Sequence, residues 1–404
     1  MSTPTSLAPR WIQAVLGLFL LLYFLPIPTR FKELSSILLL LSTLVWLWPL
    51  RQQGLLLIRQ PLAWGLALLL GTLGYAIAIS PDPGQSWAEA KNLYGIKITL
   101  TAFCLAWLLQ HPQLQPEACA RWLLACLAGS ALLLNGFNLW QYWQEYQLLG
   151  GAPEDIWAHR PYSDAMVLLL PFMLMAWWHA STRSSQLIWI GLLTLHGILL
   201  LGTGARSAWL AVAFIGLAWL LLHLNRRLLF ASALVALAGL LLAFALLPDY
   251  LLDRLTQTSS SGRTGGGTWS SAWELIQQAP WQGHGFGAFL YDQIYNAAAP
   301  LHPHWLFTES MGPHNLWLTH WFYGGLPFLL ATMTFCAILL YCNGQACRGL
   351  PQQSWQRSLL LAISLSLFGG FIVRGQFETP ELQFWGVLLG LSWGLLNRQP
   401  AASK

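Results

Sequence analysis

The chain has 404 residues, of which 56% are hydrophobic and only 9% charged, with a formal net charge of +5. A soluble domain carries roughly 25% charged residues, so this composition excludes a water-soluble enzyme or binding module. Repeated continuous apolar runs of about 20 residues also exclude a transmembrane β-barrel, whose strands alternate, and define an all-α polytopic membrane protein.

Twelve transmembrane helices are predicted, at about 11–27, 34–50, 62–79, 93–110, 118–140, 162–180, 187–203, 206–223, 228–247, 314–342, 358–377 and 381–397. Proline and glycine clusters punctuate them, as at Pro26-Ile27-Pro28, Pro81-Asp82-Pro83 and Gly150-Gly151-Ala152-Pro153. The first run, from Trp11, has no small-residue cleavage signal and reads as a retained span rather than a signal peptide. Pro171 falls inside a span, where neighbouring helices can re-satisfy the freed backbone. The six cysteines lie in or beside spans, without CxxC spacing, and read as small buried hydrophobes. The 24 tryptophans suit interface belts and core packing.

Between the ninth and tenth spans lies one long polar insertion, 248–313. With the N-terminus cytoplasmic, the cytoplasmic segments carry eleven Lys and Arg, including the Arg226-Arg227 pair, against one acid, Glu117. The opposite face then has nine cations and fourteen acids. This asymmetry over short loops places both termini in the cytoplasm and the 248–313 loop outside, in the periplasm of a diderm cell. The cations are scattered, with no basic stripe, so no nucleic-acid partner is expected.

The external residues able to do chemistry are few. Arg206 opens a helix after a very short hairpin, in Gly204-Ala205-Arg206-Ser207. It reads either as a snorkelling anchor or as an anion clamp assisted by the helix N-terminus. Arg263 sits in the glycine-rich run Ser261-Gly262-Arg263-Thr264-Gly265-Gly266-Gly267. It is either a solvated loop arginine or a ligand contact, glycine permitting close backbone approach. Arg160, at another span mouth, has Asp164 as its expected partner. Short helices are expected at Thr268–Ile276 and Ala288–Ala298. His314 follows Gly312-Pro313 at the start of the tenth span, and a neutral imidazole there can act as a base near pH 7. A metal set of His302, His304, His314, His284 and Glu309 is the weaker alternative, and no metal is expected.

Taken together, Gly204-Ala205-Arg206-Ser207-Ala208-Trp209, Arg263 ahead of Trp269, Gly283-His284-Gly285-Phe286-Gly287 and Pro313-His314-Asn315 resemble the O-antigen ligase and polymerase superfamily of bacterial membrane glycosyltransferases. The interval from Arg263 to Trp269 is longer and richer in glycine than the family pattern. The resemblance implies a GT-C-like arrangement in the bacterial inner membrane with a periplasmic active site. It implies a glycan donor on undecaprenyl diphosphate and a sugar hydroxyl of lipid A-core as acceptor, held among membrane lipids. His314 would be the catalytic base, Arg206 and Arg263 would bind the diphosphate, Arg160 would assist, and no cofactor would be needed. The short 141–161 loop and the short C-terminal region favour a ligase over a polymerase or a protein O-oligosaccharyltransferase. A non-enzymatic transporter of lipid-linked sugars would place its charges near the membrane midplane instead. The central parts of these spans are nearly free of charge.

Overall fold

The computed structural model describes residues 7–150, 159–223 and 262–398, together with Leu237 and Leu241. Apart from those two, the expected ninth span, 228–247, and the first part of the polar insertion lie outside the described residues. Among the described residues the chain is all helical, without a strand.

Among the described residues, ten α-helices precede the polar insertion. They are α1 (Leu7–Tyr23), α2 (Thr29–Leu47), α3 (Arg51–Leu57), α4 (Pro61–Ala78), α5 (Pro83–Ala90), α6 (Thr101–Leu108), α7 (Pro116–Leu149), α8 (Tyr162–Trp178), α9 (Arg183–Gly202) and α10 (Arg206–His223). The insertion contributes α11 (Thr268–Gln278) and α12 (Ala288–Ala298), close to their expected bounds. The chain closes with α13 (Leu316–Gly349), α14 (Trp355–Leu367) and α15 (Phe384–Leu396).

Six helical segments among the described residues are long and apolar enough to cross a membrane: Pro61–Ala78, Pro116–Leu149, Arg183–Gly202, Arg206–His223, Leu316–Gly349 and Trp355–Gln376. A seventh arises if α2 and α3, bent by 114°, count as one. The runs expected at 11–27, 162–180 and 381–397 form shorter apolar helices. The run at 93–110 is divided between a π-helical stretch, Lys91–Leu100, and α6. The protein is therefore a multi-pass helical membrane protein. Large apolar side chains on the bundle surface, such as Trp48, Trp64, Leu187 and Leu221, are exposed and face lipid in such a protein.

Two helices outrun their expected spans. α7 continues to Leu149, so much of the supposed 141–161 loop is helix. Its 34 residues measure about 51 Å against a hydrocarbon core of about 30 Å. A Gln141–Glu145 side-chain hydrogen bond of 2.9 Å supports the extra turns, and Gly150, left-handed at φ 66°, ends them.

α13 is interrupted. Gly324 and Gly325 leave the helical region, and Pro327 follows. The segment 280–286 packs into this break. His284 and Gly285 donate backbone N–H bonds to the carbonyls of Phe322 and Tyr323, and Leu326 donates to Pro280. Phe286 donates to Ala76 at the end of α4. The approach demands glycine: a Cβ on Gly325 would lie 2.1 Å from the Trp281 carbonyl oxygen, at φ 64°. The polar insertion is thus bolted to the membrane helices through backbone bonds that a broken helix exposes.

One buried polar chain within the bundle is fully paired. Thr332 donates to the Phe328 carbonyl (2.9 Å), so its oxygen accepts from His320 Nδ1 (2.8 Å), leaving His320 Nε2 to accept from the Tyr94 hydroxyl (3.0 Å). Such pairing removes the cost of burying these groups away from water. Five of the cysteines are buried and Cys342 is partly so, all unbridged.

Candidate active site

Three separate segments converge on a carboxylate carried by a fourth. After α14 the chain passes through a π-helical stretch, Phe368–Val373, and a 3₁₀ turn, Arg374–Gln376. The N–H groups of Phe377 and Glu378 then close on the Arg374 carbonyl at 2.8 and 3.0 Å. This presents Glu378, whose side chain is only 14% exposed. One of its oxygens, Oε1, accepts from Arg160 Nη2 at 2.5 Å and lies 3.6 Å from Arg263 Nη2. The other, Oε2, lies 3.1 Å from His314 Nδ1.

Each partner has a local reason for its position. Arg160 ends the turn before α8, where Ser163 Oγ donates to its carbonyl (2.6 Å) and accepts from Arg374 Nη2 (2.8 Å). Asp164 pairs with Arg374 at 2.8 Å. The expected Arg160–Asp164 pair is therefore replaced by Arg160–Glu378 and Arg374–Asp164. Tertiary packing brings two acids and two arginines together there, and each arginine meets the acid its own turn faces.

Arg263 lies in a turn whose carbonyl accepts from Trp269 N (2.8 Å) and Ser270 N (3.2 Å) at the start of α11. Its guanidinium donates to the Phe377 carbonyl at 2.8 Å and sits 5.7 Å from the Trp269 ring centroid. The Trp269 indole N–H in turn reaches the His314 carbonyl at 3.4 Å. The longer interval between Arg263 and Trp269 is taken up by Gly265 and Gly266, both at positive φ.

His314 has φ 46°, the one non-glycine in the left-handed region among the described residues. Such a conformation is costly for a residue with a side chain and marks functional sites. It is held from both sides. Asn315 caps α13 by accepting from Trp317 N (2.9 Å) and Leu318 N (3.0 Å), and its amide donates to the Gln376 carbonyl (2.8 Å). The histidine is thereby fixed beside the turn that carries Glu378.

Because an ionised carboxylate only accepts, the contact with Glu378 places the proton on His314 Nδ1 and leaves the Nε2 lone pair free to take a proton. Burial pushes the Glu378 carboxyl up. The His314 hydrogen bond and the charges of Arg160, His314 and Arg374 outweigh burial and hold it below the ordinary glutamate range. Arg263 is lowered by burial first, raised by Glu378, and lowered again by the nearby charges of Arg206 and Arg160. Arg206 is the exposed first residue of α10, after Gly204 at φ 65°. Its helix packs on the 374–376 turn. Arg160 and Arg263 thus share one carboxylate beside His314, and Arg206 lies near enough for its charge to act on Arg263.

Glu378 was not among the residues singled out from sequence. The available signal was an acid just beyond an apolar span, four residues after Arg374. The metal set read from sequence is not assembled: His284 bonds the Leu275 carbonyl (2.8 Å) and stacks on Phe322, and His314 is taken by Glu378. A groove of about 560 Å³ opens near the Arg160 turn, lined by Phe137, Trp140, Leu148 and Tyr162 and also by Gln141, Gln144 and Glu145.

Residues 191–333, which include Arg206, Arg263 and His314, match the family model described as O-antigen ligase. The chain is 33% identical over 408 residues to the O-antigen ligase of Salmonella typhimurium, an alignment covering 96% of each chain. It is 27% identical over 263 residues to the O-antigen ligase of Pseudomonas aeruginosa, covering 63% of this chain and 59% of that one.

Proposed function

Because this chain belongs to the O-antigen ligase family, we propose that it transfers a glycan from undecaprenyl diphosphate to a sugar hydroxyl of lipid A-core. The observation that carries this reading is the cluster around Glu378, a histidine with one free nitrogen beside guanidinium groups. As the glycosidic bond breaks, negative charge accumulates on the diphosphate leaving group. Arg206 and Arg263 neutralise it, with Arg160 assisting, since planar guanidinium forks match phosphate oxygens. His314 Nε2 accepts the proton of the attacking hydroxyl. The carbon–oxygen bond to the acceptor forms as the bond to the diphosphate breaks, so the anomeric configuration inverts. Arginine supplies the charge that a metal supplies elsewhere, and the reaction is proposed to need none.

The same reading keeps residues 1–404 as one inner-membrane domain of about twelve spans, with cytoplasmic termini and 248–313 as a periplasmic loop over the active site. The groove beside Phe137, Trp140 and Leu148 suits the prenyl chain of the donor. The test is a deletion strain. Loss of polymer-capped lipopolysaccharide, with polymer accumulating on the lipid carrier, is expected. Loss of chain length with one repeat still attached would instead mean a polymerase, and unchanged lipopolysaccharide would overturn both readings.

A further inference from the structure

A second cluster lies in the polar insertion, away from Glu378. Glu274 projects from α11, and His302 and His304 lie just after the 3₁₀ turn Ala299–Leu301. His304 Nε2 is 2.9 Å from Glu274 Oε1, and His302 Nδ1 is 3.3 Å from Glu274 Oε2. One ligand atom from each residue can be chosen so that all lie within 4.8 Å of one another.

We propose that Glu274, His302 and His304 bind a divalent transition-metal ion, zinc fitting best, which staples α11 to the 302–305 segment. Two imidazoles and one carboxylate form a borderline nitrogen–oxygen set, suited to zinc, copper or nickel rather than magnesium or calcium. A tetrahedral zinc about 2.0–2.1 Å from each ligand separates the ligand atoms by roughly 3.3 Å. The observed spacing needs only small side-chain adjustments to reach this. Three protein ligands leave a fourth position for water.

The surroundings orient the ligands. The Trp305 indole donates to Glu274 Oε2 at 3.0 Å, and the His302 ring stacks on Trp305 with centroids 4.4 Å apart. Supporting contacts of this kind orient ligands at metal sites.

The consequence lies in what the segment touches. Leu306 N donates to the Gly266 carbonyl (2.9 Å), and a Cβ on Gly266 would meet the His304 carbonyl oxygen at 2.0 Å. The 302–306 segment therefore packs directly on the turn that carries Arg263. An ion bridging α11 and this segment rigidifies that turn without touching the Glu378 cluster.

The test uses the full chain, purified in detergent without a polyhistidine tag and titrated with zinc alone by calorimetry. Cobalt(II), followed by its visible absorption, reports the ligand geometry. One equivalent is expected to bind, and the His302→Ala/His304→Ala double variant is expected to weaken binding by roughly 100-fold or more. Glu274→Gln, which keeps the hydrogen-bonding shape but loses the charged ligand, is expected to weaken it as well. Zinc should also slow backbone hydrogen exchange in 263–267 and 302–306. A wild type that binds no zinc, or a double variant that binds it equally, overturns the site. Binding without slowed exchange overturns the staple. Neither readout uses glycan transfer, so failure here leaves the transferase reading intact, and the converse holds.

Discussion

Glu378 Oε2 lies 3.1 Å from His314 Nδ1, while the other oxygen of the same carboxylate is held by Arg160 and Arg263. One acid thus sets the tautomer of the proposed base and spaces the cations that would bind the leaving group. Glu378→Gln should lower kcat by about 10²–10⁴-fold with little change in KM. An amide nitrogen donating to Nδ1 would move the histidine proton to Nε2, where it blocks proton acceptance. The stability of this cluster also has a defined pH dependence. The folded Glu378 carboxyl lies below its ordinary value of 4.5, so its contribution is present above that pH and lost as pH falls through the folded value. The melting-temperature gap between wild type and Glu378→Gln should be steady near neutrality and close in acid. A variant with normal kcat would reduce Glu378 to a structural role.

His314→Ala removes the proposed base. Transfer should drop by about 10²–10⁴-fold or more while the protein still inserts and purifies as a folded species. Near-normal ligation in a strain complemented with this variant would show that the base is another group.

Arg206→Lys keeps the charge and loses the planar fork. Transfer is expected to fall by about 10²-fold, measured with a purified lipid-diphosphate donor. Full activity would return Arg206 to the role of an anchor at the membrane boundary.

Transfer should persist in EDTA, since arginine rather than a metal ion is proposed to meet the diphosphate charge. Activity lost in EDTA and restored by magnesium or manganese would overturn that scheme. Activity restored by zinc alone would point to the Glu274 cluster acting on the Arg263 turn.

Gly325→Ala tests the seam between the insertion and α13. An alanine there must adopt φ 64° with its Cβ 2.1 Å from the Trp281 carbonyl oxygen. A destabilisation of about 1–3 kcal/mol or more is expected, read as a lower melting temperature. An unchanged melting temperature would mean that the 280–286 segment can withdraw from the break without cost.

Much of this molecule was legible before any coordinates. Continuous apolar runs can satisfy their backbone within a membrane only as helices, so the class followed from composition and run length. Short helices in the insertion followed from local pattern, and α11 and α12 lie close to their expected bounds. His314, Arg206 and Arg263 stood out because charged and titratable groups are scarce in such a chain. Helix ends were less legible, since side-chain pairs such as Gln141–Glu145 extend a helix beyond the membrane-length run.

What local pattern could not decide was partnership. Asp164 is the near neighbour of Arg160 in sequence, yet Arg160 pairs with Glu378, 218 positions away. Glu378 gains its importance only because the turn after Arg374 packs against the mouths of α8 and α13. The strain at His314 likewise has no sequence signal beyond its neighbours Gly312 and Pro313, because it is imposed by the Asn315 cap and the Trp269 indole together. Apolar run length and charge are properties of single segments, so sequence by itself determined the all-helical membrane class and the scarce candidates. Pairing energies depend on distances between segments, so only the tertiary structure decided which acid serves which base.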